Sequence, residues 1–235
     1  MMPYRLKIRD LGLICALALT SFGLRGQEIP QDEQPVNAAG LPQGTWILHH
    51  PNGMLRQIAH YAGGRKQGNV WDIDPQGRVT ARSQFKNDTL HGSQYVYYNG
   101  GNLKSLMNYK DGQLHGAFEL YSASNQPTER GEYRQGQKNG VYTWFYADGK
   151  KATDYAYIDG VIEGDVVYYH PNELVKSRQK YRAGKRSGTF EEFDESGRLR
   201  RSGQFVNDLE EGTWIEYDEN GKVAQKTKYK GGKSR

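Results

Sequence analysis

Cysteine is nearly absent from this chain: Cys15 is the one thiol, and it stands inside an apolar run close to the first residue. Once that run is removed nothing remains to form a disulfide or a thiol nucleophile. Apolar side chains are also scarce. They make up 36% of the 235 residues and the mean hydropathy is −0.88, too little material for a thick two-layer core. The longest uncharged apolar stretch, Leu11 to Leu19, is well short of the roughly 20 residues that span a bilayer. There is no glycine-rich phosphate loop leading into a helix, no nucleophile elbow and no second domain to house an active site. These absences argue against an enzyme, and no cofactor is expected. What the chain does have is 29 Gly, 17 Tyr and 4 Trp, a mixture suited to short strands joined by close turns.

Residues 1–26 read as a secretory signal peptide. Arg5, Lys7 and Arg9 precede the apolar run, and Ser21-Phe22-Gly23 or Leu24-Arg25-Gly26 supplies the small residues of a cleavage site. Ile14 stands before Cys15 where a lipoprotein signal needs a small residue, so lipidation is not expected. An exported protein follows: periplasmic, envelope-associated or secreted. The segment holds four basic residues and one acidic, so the formal charge of +5 falls to +2 without it. That small excess gives no footing for nucleic-acid binding. Residues 27–43, rich in Pro, Gln and acids and without periodicity, read as a flexible leader.

From Gly44 onward the chain keeps a strict ruler. Glycine recurs at 44, 68, 92, 116, 140, 164, 188 and 212, a spacing of 24 each time, and defines eight repeats over 44–235. Positions are given below as offsets from these glycines. Offset 17 is always aromatic, from Tyr61 and Phe85 to Tyr229; offset 5 is aromatic in six repeats; offset 2 is mostly large and apolar, as in Trp46, Phe118, Tyr142 and Trp214. Offsets 8 and 9 carry Asn52-Gly53 or Asp148-Gly149, and offsets 19 and 20 carry Asp111-Gly112 or Asn207-Asp208. Such pairs accept positive φ at both centres of a two-residue hairpin turn. The expected fold is therefore all-β: an elongated antiparallel meander of eight hairpins, with about sixteen strands of about 9 and 11 residues. At roughly 4.8 Å per strand it forms a ribbon about 75 Å long. Offset 2 should oppose offset 15, where Ala59, Ser83, Gly131 and Gly203 are small. Offsets 2 and 5 differ in parity, which puts them on opposite faces unless a bulge near the repeat glycine intervenes. Repeats 4 and 6 are expected to have looser turns. They place Ser124-Asn125 and Asn172-Glu173 where others have glycine second, and Pro127, which cannot donate to a central ladder, stands where others place Leu or Val.

The stretches Tyr109 to Gly116, Tyr133 to Gly140 and Tyr217 to Gly221 resemble the MORN repeat family, in the bacterial variant found in YwqK-type antitoxin-component proteins. The resemblance covers residues 44–235. It implies a β-hairpin repeat fold and a module that tethers proteins or membranes; the antitoxin label implies a toxin partner.

Three groups of residues are candidates for function. His91 and His115 share a column, but equivalent positions in neighbouring hairpins lie about 10 Å apart, too far to share a zinc whose ligands sit at about 2 Å. They read as turn-flanking residues, and no metal site is expected. Acid pairs such as Glu191-Glu192, Asp194-Glu195 and Glu210-Glu211 lack the burial that raises the pKa of a general acid, so no catalytic residue is assigned. The offset-5 aromatics Tyr97, Tyr121, Phe145, Tyr169, Phe193 and Tyr217 form the best candidate binding stripe. In a regular ladder they stand opposite offset 12, with Lys104, Lys176 and Arg200, and beside offset 14, with Arg82, Arg130, Arg178 and Lys226. Either the rings bind a partner, or they staple neighbouring hairpins while the basic stems cover them. A protein is the expected partner; an anionic lipid or a glycan is the alternative.

Overall fold

A computed structural model describes residues 34–235; the signal-peptide reading of residues 1–26 lies outside them. The described residues form one antiparallel sheet of 17 strands with no helix. Each strand pairs with its neighbours in the chain, as in Gly44–His49 with Leu55–Ala62 and Leu55–Ala62 with Arg65–Ile73, the first and last strands having one partner each. This is the expected meander of hairpin repeats. The seventeenth strand is the two-residue Lys233–Ser234.

Strands alternate between 9 and 8 residues, as in Gln113–Tyr121 and Pro127–Arg134, rather than 9 and 11. The difference lies in the turns. At offsets 19 and 20 both residues have positive φ, as in Asp159 at 47° and Gly160 at 83°, or Ala183 at 49° and Gly184 at 77°. These are the expected two-residue turns. At offsets 8 and 9 only the second residue does: Gly53 lies at 82° and Gly149 at 85°. The Gly53 amide donates to the His50 carbonyl at 2.9 Å, and the His50 amide to the Met54 carbonyl at 2.7 Å. That is a type I turn followed by a left-handed residue, a longer connection than the two-residue turn expected there.

The turns of repeats 4 and 6 are not looser. Asn125 at φ 63° and Glu173 at φ 68° take the glycine's conformation, and their amides keep the turn bonds to Ser122 and His170 at 2.9 Å. The ladder on either side over-determines the turn, so the side chain accepts the strain. Left-handed φ costs a residue with a Cβ roughly 1–2 kcal/mol, offset in part by the entropy a glycine loses. Glu173→Gly is therefore expected to raise stability by about 0.5–1 kcal/mol in urea unfolding. The reverse change in an equivalent turn, Gly149→Glu, should lower it; no change in either would remove the strain argument.

Two bulges recur. One lies at the repeat glycine, where Ala59 pairs with Val70 and Tyr61 with Lys66, so His60 faces three residues including Gly68. All eight repeat glycines have φ between 74° and 107°. The other lies at offset 12: Leu48 pairs with Gln57 but His49 with Leu55, leaving Arg56 as the extra residue. Neither bulge falls between offsets 2 and 5, so those two columns face opposite sides of the sheet.

The packing face carries offsets 2, 4, 13, 15 and 17. Trp46 pairs with Ala59 and Phe118 with Gly131, large against small as expected. Rings then tile the face: Phe118 stacks on Tyr142 at 5.8 Å, Tyr133 meets Phe118 edge-on at 5.4 Å, and Phe205 meets Trp214 edge-on at 5.0 Å. By this tiling a single layer leaves Tyr142 only 1% and Trp214 2% exposed. Edge-to-face rings add about 0.5–1.5 kcal/mol per pair beyond the area they bury.

Candidate functional site

The opposite face carries offsets 1, 3, 5, 14, 16 and 18, and here the structure places the candidate stripe. Tyr97, Tyr121, Phe145, Tyr169, Phe193 and Tyr217 are each half-buried, one per hairpin, on strands that run parallel to one another. Their cross-strand partners are at offset 11: Leu103, Pro127, Lys151, Val175, Leu199 and Val223. The expected pairing with offset 12 does not form, because that residue is the bulged one. Lys104 reaches instead over Tyr98, 5.7 Å from its ring centroid, and Arg200 lies 3.9 Å from Asp194; Lys176 is exposed. These three cations stand toward the longer turns rather than on the stripe.

The cations that do meet the stripe come from offsets 14 and 11. Arg130 lies over Phe145 at 5.8 Å and bridges to Glu119 at 3.5 Å, and Glu119 accepts the Tyr121 hydroxyl. Lys151 lies over Tyr169 at 5.8 Å and donates to Asp154 at 2.9 Å. Asp154 also accepts from Tyr169 at 2.8 Å and from Thr143 at 2.5 Å. Burial pushes the Asp154 carboxyl upward, but bonds from Thr143, Lys151 and Tyr169 and the Lys151 charge outweigh it and hold the group below the usual carboxylate range. Burial, followed by that same bond to Asp154, pushes the Tyr169 phenol up to about 12. Arg82 sits between Trp71 and Tyr95, at 5.4 Å and 4.6 Å from their centroids. The face is thus aromatic and cationic in alternating rows, with the Tyr121 and Tyr169 phenols tied at the rim by Glu119 and Asp154.

Sequence reasoning missed the column at offset 6. Tyr98 and Tyr146 donate to the Tyr121 and Tyr169 carbonyls of the next repeat at 2.8 Å and 2.6 Å. His50 and His170 bring Nε2 to the Ile73 and Phe193 carbonyls at 2.7 Å and 2.9 Å. Where Asp74 or Asp194 stands instead, its carboxylate caps the turn's own amides, as in Asp194 with Ser196 and Arg198. The column always holds a hydrogen-bonding side chain, and that restriction was the signal available.

The histidine column behaves as a turn neighbour. His91 Nδ1 lies 3.2 Å from Asp111, and at the same offset Gln43 and Glu211 accept amides of the following turn at 2.9 Å and 2.8 Å. No cluster of three His, Cys, Asp or Glu among the described residues is arranged to hold a metal. The acid pairs are split or spoken for: Glu210 bonds Arg201 at 2.9 Å and Glu191 lies 3.9 Å from Arg178.

The model of the family described as MORN repeat variant matches residues 42–62, 90–111, 138–158 and 210–230. Four of the eight repeats match this model. Each match opens two residues before a repeat glycine, just past a two-residue turn, and takes in one hairpin with its bulge. The curated proteins contain no match. Among solved structures, a GtfA/B complex bound to UDP and GlcNAc is 14% identical over 66% of this chain and 28% of that one, with a TM-score of 0.23. An alternansucrase in complex with isomaltononaose is 15% identical over 82% of this chain and 16% of that one, with a TM-score of 0.24. This chain spans less than a third of either, and at such scores neither likeness speaks to fold or activity.

Proposed function

We propose that this protein is an exported, non-catalytic scaffold that captures a protein partner through its offset-5 aromatic stripe. The observation that carries the reading is the division of labour between faces. On one side the offset-2 rings Phe118, Tyr142 and Trp214 are buried among edge-on offset-17 rings, while on the other the offset-5 rings stand half-buried. Evenly repeated rings in a long sheet suit an extended partner. MORN-type repeats serve as protein- or lipid-binding modules, in keeping with it. The basic offset-14 column beside the stripe favours a second reading, an anionic headgroup or glycan at the envelope. The closer kinship with YwqK-type proteins, and with it a toxin-neutralising role, is a further form of the same protein-capture reading.

Tyr97→Ala, Tyr121→Ala and Tyr169→Ala combined are expected to abolish capture of the partner from envelope extract while the sheet still melts cooperatively, since aromatic anchors contribute about 2 kcal/mol or more each. Capture that survives high salt supports the protein reading; capture that collapses with screening supports the headgroup. A folded triple variant that still retains every partner would place the binding surface elsewhere.

A further inference from the structure

On the stripe-bearing face, the residues that flank each two-residue turn form cross-strand pairs at offset 18 and at the third residue before the next repeat glycine. Along the last four hairpins these pairs alternate in character. Ile158 pairs with Val161, Arg182 with Lys185, Val206 with Leu209, and Lys230 with Lys233. The apolar members are open to solvent: Ile158 is 55% exposed, Val161 45%, Val206 49% and Leu209 50%. All four basic members are exposed, and none makes an ion pair among the described residues. The carboxylates beside these turns are engaged by backbone amides, Glu163 by Ala183 at 2.7 Å and Glu211 by Gly231 at 2.8 Å, and Asp208 by Arg186 at 3.4 Å. The turns beside the basic pairs, Ala183-Gly184 and Gly231-Gly232, carry no acid.

Like charges directly opposite one another destabilise an antiparallel pair, and exposed aliphatic pairs gain nothing from water. Neither choice serves the free sheet. Both suit a ligand that brings carboxylates to the basic pairs and apolar side chains to the aliphatic ones. We propose that this turn-side rim, from Ile158 to Lys233, is a docking strip for an extended polypeptide in which apolar and acidic residues alternate. Successive hairpins are about 10 Å apart, two strand spacings, which an extended chain of the polyproline II type covers in about one turn of three residues, keeping every third side chain on the same side. The ligand therefore carries an apolar residue, then an acid three positions on, then an apolar residue again. The inference rests on the interaction-module reading but not on the aromatic stripe, which lies at the other end of the same strands.

The test uses the full chain and a fluorescent synthetic peptide of about a dozen residues, with leucine and paired glutamates alternating at this spacing among serines. Anisotropy is expected to show saturable binding. Arg182→Glu with Lys185→Glu should weaken it at least about tenfold, as should Ile158→Ser with Val206→Ser. The single change Arg182→Glu should leave the melting temperature unchanged or higher, because it relieves the repulsion with Lys185; this separates lost binding from lost folding. The Tyr97, Tyr121 and Tyr169 triple variant should bind the peptide normally even where it loses its own partner. A shuffled peptide of equal composition that binds equally well would overturn the proposal. So would indifference to the Arg182 and Lys185 reversal, or vesicles containing phosphatidylserine that bind through these residues while the peptide does not.

Discussion

Gly131→Ala is expected to destabilise the sheet by about 3 kcal/mol, the upper end for an overpacked site, and to lose that effect when Tyr142 is also alanine. A Cβ on Gly131 would lie 2.1 Å from Tyr142 Cδ2 and 2.5 Å from Cε2. The ring has nowhere to go. Phe118 stacks on it at 5.8 Å, Trp144 lies at 4.8 Å, and the Lys138 ammonium sits 3.9 Å above its centroid. Gly131 itself shows no left-handed φ, so alanine meets no backbone strain there and the clash is the whole effect. With Tyr142→Ala in place, the methyl group enters vacated space, and alanine should then stabilise the strand by about 0.5–1 kcal/mol relative to glycine. A reversal of sign between the two backgrounds, read by urea unfolding, is the expected result. Simple additivity would mean that Tyr142 does not lie across Gly131. Gly140→Ala is the contrast: φ is +79° and nothing lies within 4 Å of its Cβ, so only backbone strain of roughly 1–2 kcal/mol is expected.

Much of this packing was legible in the residues. The 24-residue ruler, the pairing of Trp46 with Ala59, and the paired positive φ at Asp159-Gly160 follow from side-chain size and turn chemistry, both of which a sequence displays directly. The parity of offsets 2 and 5 also gave opposite faces, but only by assuming that no bulge fell between them. A bulge is a property of the ladder, and two strands must be aligned before the extra residue can be found. For that reason Arg56 and its counterparts Lys104, Lys176 and Arg200 were set against the wrong neighbours, while Arg130 at offset 14, on the regular side of the bulge, was set against the right ones. The turns of repeats 4 and 6 misled in another way. Asn125 and Glu173 look unfit for a glycine position when each repeat is weighed alone. They are held there by flanking strands that each pair with a further strand on the outer side, a restraint outside the local segment. The offset-6 column escaped notice because Tyr98, His170 and Asp194 share a hydrogen-bonding role and not a shape.

Replacing Tyr109, Tyr133 and Tyr181 together by alanine is expected to unfold the protein, where the stripe triple variant only lowers its melting temperature by a few degrees. Each of the three stands opposite a positive-φ repeat glycine, Tyr109 against Gly92, Tyr133 against Gly116 and Tyr181 against Gly164. Each therefore pairs across the ladder with the bulge, at a residue that has no side chain of its own. Tyr133 also meets Phe118 and Tyr142 edge-on at 5.4 Å and 6.2 Å, and burial pushes the phenols of Tyr109 and Tyr181 above their ordinary range. Truncation of a packed aromatic costs roughly 3 kcal/mol or more, so three such losses approach the whole stability of a typical domain, about 5–15 kcal/mol. The affected repeats are interior ones, and in a sheet where each hairpin touches only its neighbours a break in the middle separates the array into halves. The offset-5 rings have one open side, and losing the rim hydrogen bonds of Tyr121 and Tyr169 should cost about 1 kcal/mol each. Far-UV circular dichroism with thermal melts distinguishes the two: loss of the cooperative transition for the offset-17 triple, and a shifted but intact transition for Tyr97, Tyr121 and Tyr169. If the two triples melt alike, both faces share the packing, and the offset-5 rings are staples between hairpins rather than a surface for a partner.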